Sequence, residues 1–223
     1  IQPGRMQATL TLEDGAGIPL NRVGDEGFSI SQSGARIRNT MNGIVYTDTI
    51  NTSGITSFNR LKTPRGGEYN VTLSDGTKVY LNAASDLKYP VVFDEKERTV
   101  YLSGEAYFEV TKDTLRPFLV ITDDVNVKVY GTAFSVNTHR KGIVRTTLVN
   151  GKVGVTIVST GQEMMMRPNQ MLEYDSGTGS VRLEDVDVYT YTAWKSGEFV
   201  FVNDRLEEIM EQLSICLLYT SDA

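Results

Sequence analysis

The sequence predicts an all-β fold: antiparallel β-hairpins stacked in a twisted sandwich or solenoid-like domain, followed by the first strand and helix of a small α/β unit. Three observations lead there. The 223 residues hold 24 Thr and 23 Val against 9 Ala, and side chains stiff at χ1 suit a pleated surface better than a helix. Short alternating runs recur every 8–12 residues with turn signals between them, the spacing of sandwiches and barrels. A single segment near the end carries helical periodicity.

Along the chain, Leu10–Leu20 alternates around Asp14-Gly15, and Val71–Leu81 repeats the pattern around Asp75-Gly76 without a gap. Each reads as a hairpin, the second with a two-residue turn. The echo fits a lead-in β unit over 1–60 that packs on or extends the main sheet. Chance recurrence of Asp-Gly between strands explains it equally well, because two copies do not make a repeat array. Residues 38–60 suggest one hairpin at Asn42-Gly43 and then a polar connector through Ser53-Gly54. Val100–Val110 reads as one strand, with Ala106, Phe108 and Val110 on one face and Glu105, Tyr107 and Glu109 on the solvent face. Strands over 117–122, 125–130 and 133–136 follow, and then a hairpin around Asn150-Gly151. Glu198–Val202 reads as a strand. In the helix over 204–213, Leu206, Ile209, Met210 and Leu213 fall at i, i+3, i+4 and i+7, and Asp204 with Glu207 forms a capping-box pattern.

Composition excludes several function classes. Lys+Arg is 22 and Asp+Glu is 28, a net charge of −6. An acidic chain without a basic block is poorly suited to a phosphate backbone, so no nucleic acid partner is expected. One histidine, His139, and one cysteine, Cys216, cannot assemble a His/Cys metal cluster. That argues against a metal-dependent barrel enzyme. Neither a cofactor nor catalysis is expected. No run approaches the ~20 apolar residues of a membrane span, and the opening residues have no signal-peptide pattern. The chain therefore reads as a piece of a longer product, with any anchor upstream.

Local candidates for chemistry are weak. Glu105 and Glu109 stand four residues apart on a strand, about 13 Å at ~3.3 Å per residue, beyond the roughly 5–9.5 Å of paired glycosidase carboxylates. Asp123-Asp124 reads as a turn, Asp185 and Asp187 as a strand face, and Arg65-Gly66-Gly67 as a turn rather than an anion loop. His139 reads as a solvated loop residue, and Met164–Met166 as core filler. Tyr189, Tyr191 and Trp194 cluster at the join before the helix. They serve either as interdomain packing or as a partner surface.

Several motifs, in order and spacing, resemble the FecR family. They are Thr63-Pro-Arg-Gly-Gly-Glu-Tyr69, Leu73-Ser-Asp-Gly-Thr-Lys-Val-Tyr-Leu-Asn82, Tyr89-Pro90, Leu102-Ser-Gly-Glu-Ala-Tyr-Phe-Glu-Val110, Pro117-Phe118, Val129-Tyr-Gly-Thr-Ala-Phe-Ser-Val136, Val149-Asn-Gly-Lys-Val153 and Pro168-Asn-Gln170. The resemblance covers roughly 61–213 and is closest in style to Bacteroidetes versions. It implies a FecR-like β domain over 61–190 and the start of a C-terminal α/β receiver domain over 191–214. It also implies the periplasmic, signal-transducing portion of a single-pass inner-membrane anti-sigma factor. Such a protein relays transporter occupancy to an extracytoplasmic-function sigma factor. The implied partners are the N-terminal signalling domain of a TonB-dependent outer-membrane transporter and the sigma factor. The sigma factor would be bound by a cytoplasmic segment, and the membrane crossed by a helix, that both lie outside these 223 residues. The sequence leaves the family pattern after Ser214, so 215–223 reads as a non-native tail. Trp194, Phe199, Phe201, Leu206, Ile209 and Met210 are the candidate partner-binding residues, through the edge of 198–202 or the apolar helix face. The rival reading is a carbohydrate-binding β-sandwich. It would need a solvent-facing aromatic platform, whereas most aromatics fall in phase with apolar strand positions.

Overall fold

The computed structural model describes residues 5–21, 28–48, 57–202 and 205–217. The Ser53-Gly54 turn, the Asp204 cap and residues 218–223 of the expected tail lie outside them. The strands are β1 (Arg5–Thr11), β2 (Gly17–Asn21), β3 (Ser29–Gln32), β4 (Ala35–Thr40), β5 (Gly43–Asp48), β6 (Phe58–Lys62), β7 (Gly67–Thr72), β8 (Lys78–Leu81), β9 (Asp86–Pro90) and β10 (Arg98–Ser103). They continue as β11 (Glu105–Glu109), β12 (Phe118–Ile121), β13 (Val125–Val129), β14 (Ala133–Asn137), β15 (Ile143–Asn150), β16 (Val153–Ile157), β17 (Glu163–Met166), β18 (Gln170–Asp175) and β19 (Ser180–Asp185). A short helix α1 (Val188–Thr192), a 3-10 turn (Ala193–Ser196) and helix α2 (Leu206–Cys216) complete the order.

The strands form two facing sheets. Sheet I runs β2-β1-β6-β9-β10-β12-β13-β16-β17. Sheet II runs β3-β4-β5-β7-β8-β11-β14-β15-β18-β19. Neighbours are antiparallel except β10–β12 and β5–β7. From β7 onward the chain crosses repeatedly between the sheets and adds strands in sequence order. This gives a sandwich that grows strand by strand, within the all-β class that the sequence predicts. Apolar side chains at every second position meet between the sheets in one core. At its centre Phe108 of sheet II stacks on Phe134 at 5.1 Å and reaches Phe118 of sheet I at 6.1 Å.

The lead-in strands extend the main sheets. β1 pairs with β6, and β5 with β7. A buried polar chain fastens them: Asn59 donates to Tyr46, whose hydroxyl meets that of Tyr89 at 3.1 Å. The two echoed hairpins share one turn geometry. Leu12 N–H bonds Ala16 C=O as Leu73 N–H bonds Thr77 C=O, and Asp14 and Asp75 each accept the backbone N–H two residues on. Each loop has three residues, not two. Gly15 and Gly76 sit at φ +83°, so each closes a type I turn with a glycine bulge.

Three sequence expectations are corrected by this topology. Val100–Val110 is two strands, because Gly104 at φ +103° turns the chain from sheet I into sheet II. Asn150-Gly151 is likewise a corner and not a hairpin: β15 pairs within sheet II and β16 within sheet I. Glu198–Val202 is not a strand. Gly197, in the left-handed region, ends the 3-10 turn, and Phe199 and Phe201 stack on each other with centroids 6.3 Å apart. Alternation of apolar residues here lays side chains on one side without building a ladder. The last helix begins later than expected, with Arg205 at its N-cap and no side-chain cap, and it runs through Cys216.

The Gly104 corner carries a first prediction. A Cβ there would stand 2.6 Å from Ser85 Cα. Gly104→Ala is expected to cost about 2–4 kcal/mol, combining positive-φ strain with overpacking of the corner. Urea unfolding measures it, and a change below about 0.5 kcal/mol would contradict this account of the corner.

Candidate functional site beneath the C-terminal segment

Sheet II has two unlike faces, as period-two alternation dictates. Inward point Val79, Leu81, Ala106, Phe108, Phe134, Val136 and Leu148. Outward point Tyr80 on β8, Glu105, Tyr107 and Glu109 on β11, Ser135 and Asn137 on β14, and Arg145 and Thr147 on β15. The outer face is not left to solvent. Residues 188–202 and helix α2 lie across it, so Glu105 and Tyr107 are buried where the alternation placed them in water. Alternation assigns a face but does not show what later chain covers that face.

The cover is held at separate points. Lys195 Nζ lies 4.1 Å from the Tyr107 ring centroid and 4.8 Å from that of Tyr80, and bonds Glu109 at 3.2 Å. Glu208 of α2 pairs with Arg140 at 2.7 Å. Gly66 N–H, in the Pro64–Gly67 turn, donates to the C=O of Ile215 at 2.8 Å. Ile215 and Cys216 are buried against Ala83 and Phe199. Asp187, expected on a strand face, instead caps α1 by accepting from Tyr189 N–H.

Glu105 lies at the centre of the covered face, 5% exposed. Its Oε2 accepts from Asn82 Nδ2 at 2.6 Å, and its backbone N–H donates to Ser85 Oγ at 2.8 Å. Burial pushes its carboxyl up to about 7, against opposing help from Asn82, Asn137, Arg145 and Trp194. Arg145 is itself paired with Glu173. The Trp194 indole N–H is buried without a well-formed hydrogen bond. It stands close enough to Glu105 to favour the carboxylate. Asn82 Oδ1 faces Cys216 Sγ at 3.8 Å. Burial, then the nearby Glu105 charge, pushes that thiol up to about 12, so it is not a nucleophile at neutral pH.

His139 is not a solvated loop residue. It is half-buried, its Nε2 bonds the Ala83 carbonyl at 2.9 Å, and desolvation lowers its pKa. A cavity of about 60 Å³ lies between Glu105, Asn137, Arg145, Trp194 and Gln212. A neighbouring cleft of about 80 Å³ adds His139, Phe201 and Ile209. Among the described residues, no group of three or more His, Cys, Asp or Glu could hold a metal ion.

The candidate partner-binding residues divide between the two sides of this cover. Trp194 is buried against sheet II, Phe201 and Ile209 line the cleft, and Phe199 packs beside Ile215. Leu206 and Met210 face outward, 70% and 49% exposed. Of Met164–Met166, Met166 is core and Met165 is exposed. About half of the described aromatics are buried, among them Tyr46, Tyr69, Tyr89, Phe108, Phe118 and Phe134, whereas Tyr101, Tyr130 and Tyr189 are exposed.

A two-sheet β module carrying a helical segment docked on one sheet face defines the class. Comparison with known proteins gives the family. The model for FecR protein matches residues 59–154. Two crystal structures of a candidate anti-sigma factor from Parabacteroides distasonis ATCC 8503 superpose on the chain with TM-scores of 0.68 and 0.67. Their sequence identities are 29% and 30%, over 71% and 70% of this chain and 74% of each of theirs. No curated protein matches. The chain belongs to the FecR family.

Proposed function

We propose that the chain is the periplasmic signal-transducing portion of a membrane-anchored anti-sigma factor, which relays transporter occupancy to an extracytoplasmic-function sigma factor through protein contacts. Family membership and the likeness to the candidate anti-sigma factor support a regulatory role. No helix among the described residues is long and apolar enough to cross a membrane, so the anchor in this reading belongs to sequence outside them. The observation that carries the reading is α2. It is pinned at a few points on sheet II and turns Leu206 and Met210, one helical turn apart, outward. An apolar helix stripe of this kind fits a groove in a partner. Helix packing is favoured over strand addition, because 198–202 offers stacked side chains and not a strand edge. The proposed partner is the N-terminal signalling domain of a TonB-dependent transporter.

Capture of that domain by the chain tests the proposal. Leu206→Asp with Met210→Asp is expected to weaken capture at least ~10-fold, since exposed apolar anchors at an interface contribute about 1–2 kcal/mol each. Both sites are exposed, so the fold should be unaffected. Undiminished capture would overturn this choice of surface.

A further inference from the structure

Among the points that hold the C-terminal segment on the β module is a buried polar cluster that both Trp194 and Cys216 reach. Trp194 of the 3-10 turn faces Glu105 directly. Cys216, at the end of α2, reaches Asn82, which in turn bonds Glu105. The two anchors are 22 residues apart in sequence, with residues 197–202 and α2 between them, and Glu105 stands beneath both. Asn82 donates to the buried carboxyl at 2.6 Å, Asn137 and Trp194 add weaker help, and burial outweighs all of them. Ionising it under the cover is costly, whereas ionising it in water is not.

We propose that Glu105 is a proton-operated latch. When neutral, it lets residues 188–202 and 205–216 lie closed on sheet II. When ionised, it favours release of that segment into solvent. The latch concerns the same segment as the docking proposal above, but it stands without it, because it needs only this chain.

The sign follows from which state holds the proton. Released, the carboxyl titrates near its ordinary value of 4.5; closed, it titrates near 7. The closed state therefore takes up a proton as pH falls through this interval. Its added stability is complete below about 4.5 and is lost as pH rises through 7. The gap allows a change in the closed-to-released ratio on the order of 100-fold. The groups facing the cluster do not reverse this. Arg145 on β15 is shared with Glu173 on β18. Cys216 stays a neutral thiol. His139, after β14, has a lowered pKa and favours its neutral form. Tyr191 of α1 stands near Arg145. From α2, Glu208 pairs with Arg140 and Glu211 adds negative charge near His139.

The only tryptophan of the chain is Trp194, so its fluorescence reads the latch with no label. Acrylamide quenching of the whole chain is measured from pH 5 to 8.5. The expected result is quenching that rises several-fold between pH 5 and about 7 and is level above that, and that stays low and flat in Glu105→Gln, which keeps the shape but cannot ionise. Flat quenching in the unaltered chain, or the same rise in Glu105→Gln, would overturn the proposal. If that variant does not fold, hydrogen exchange on the unaltered chain decides, corrected for the intrinsic pH dependence. Protection lost with rising pH over 206–217 but not over β11–β14 supports the latch. Uniform loss or no loss refutes it.

Discussion

Arg98→Ala is expected to lower the unfolding free energy by about 3–5 kcal/mol, the usual cost of leaving a buried ion pair half-made. Arg98 is fully buried on β10 of sheet I. Its Nη1 bonds Asp75 Oδ2 and the Thr111 carbonyl, each at 2.8 Å, and its Nε and Nη2 bond the Arg116 carbonyl. Its guanidinium also lies over the Phe118 ring at 5.5 Å. Asp75 in turn is held by Thr77 in the bulged turn of sheet II. One side chain thus ties a turn of one sheet to a strand of the other and satisfies three backbone carbonyl bonds. Removing it leaves Asp75 without its charge partner and takes the side-chain donors from two carbonyls in a dry place. Asp75→Ala should cost a similar amount, and the double variant distinctly less than the sum. Urea unfolding of the three variants checks this. Additive losses would mean that the pair is not coupled.

Phe108→Ala is expected to cost about 3–5 kcal/mol, the range for deleting a large aromatic side chain from a core that cannot collapse around the void. Phe108 is fully buried, stacked on Phe134 and tilted against Phe118. It is the point where the two sheets share aromatic contacts, and both neighbours are fixed in paired strands. Relaxation is therefore limited, and the loss should approach the upper end of that range. Thermal or urea unfolding measures it. A loss under about 1.5 kcal/mol would show a looser intersheet packing than these ring distances imply.

Much of the fold was legible in the sequence because its signals are local. Asp-Gly turns, β-branched alternation and helical spacing each depend on a few adjacent residues. The echo of residues 10–20 in 71–81 is a shared turn geometry that Asp14, Gly15, Asp75 and Gly76 carry by themselves. What local reading missed are the corners. Gly104 and Gly151 look like any strand-breaking or hairpin glycine, and only strand pairing shows that they move the chain between sheets. The site was harder for the same reason. Glu105 lies in an ordinary alternating strand, and its burial is decided by residues about 90–110 positions later. Trp194 and the helix stripe drew attention as aromatic and apolar signals. Asn82, Asn137 and Arg145 carry no pattern that singles them out.

The account rests on the C-terminal segment acting as the contact element of a FecR-family regulator. The most direct measurement is a calorimetric titration of the chain with the purified partner proposed above, the N-terminal signalling domain of a TonB-dependent transporter. It is run on the unaltered protein and on the Leu206→Asp, Met210→Asp double variant. The account predicts saturable binding that the double variant weakens at least ~10-fold, while both proteins unfold at the same urea concentration. Binding of equal strength in the two proteins would contradict it.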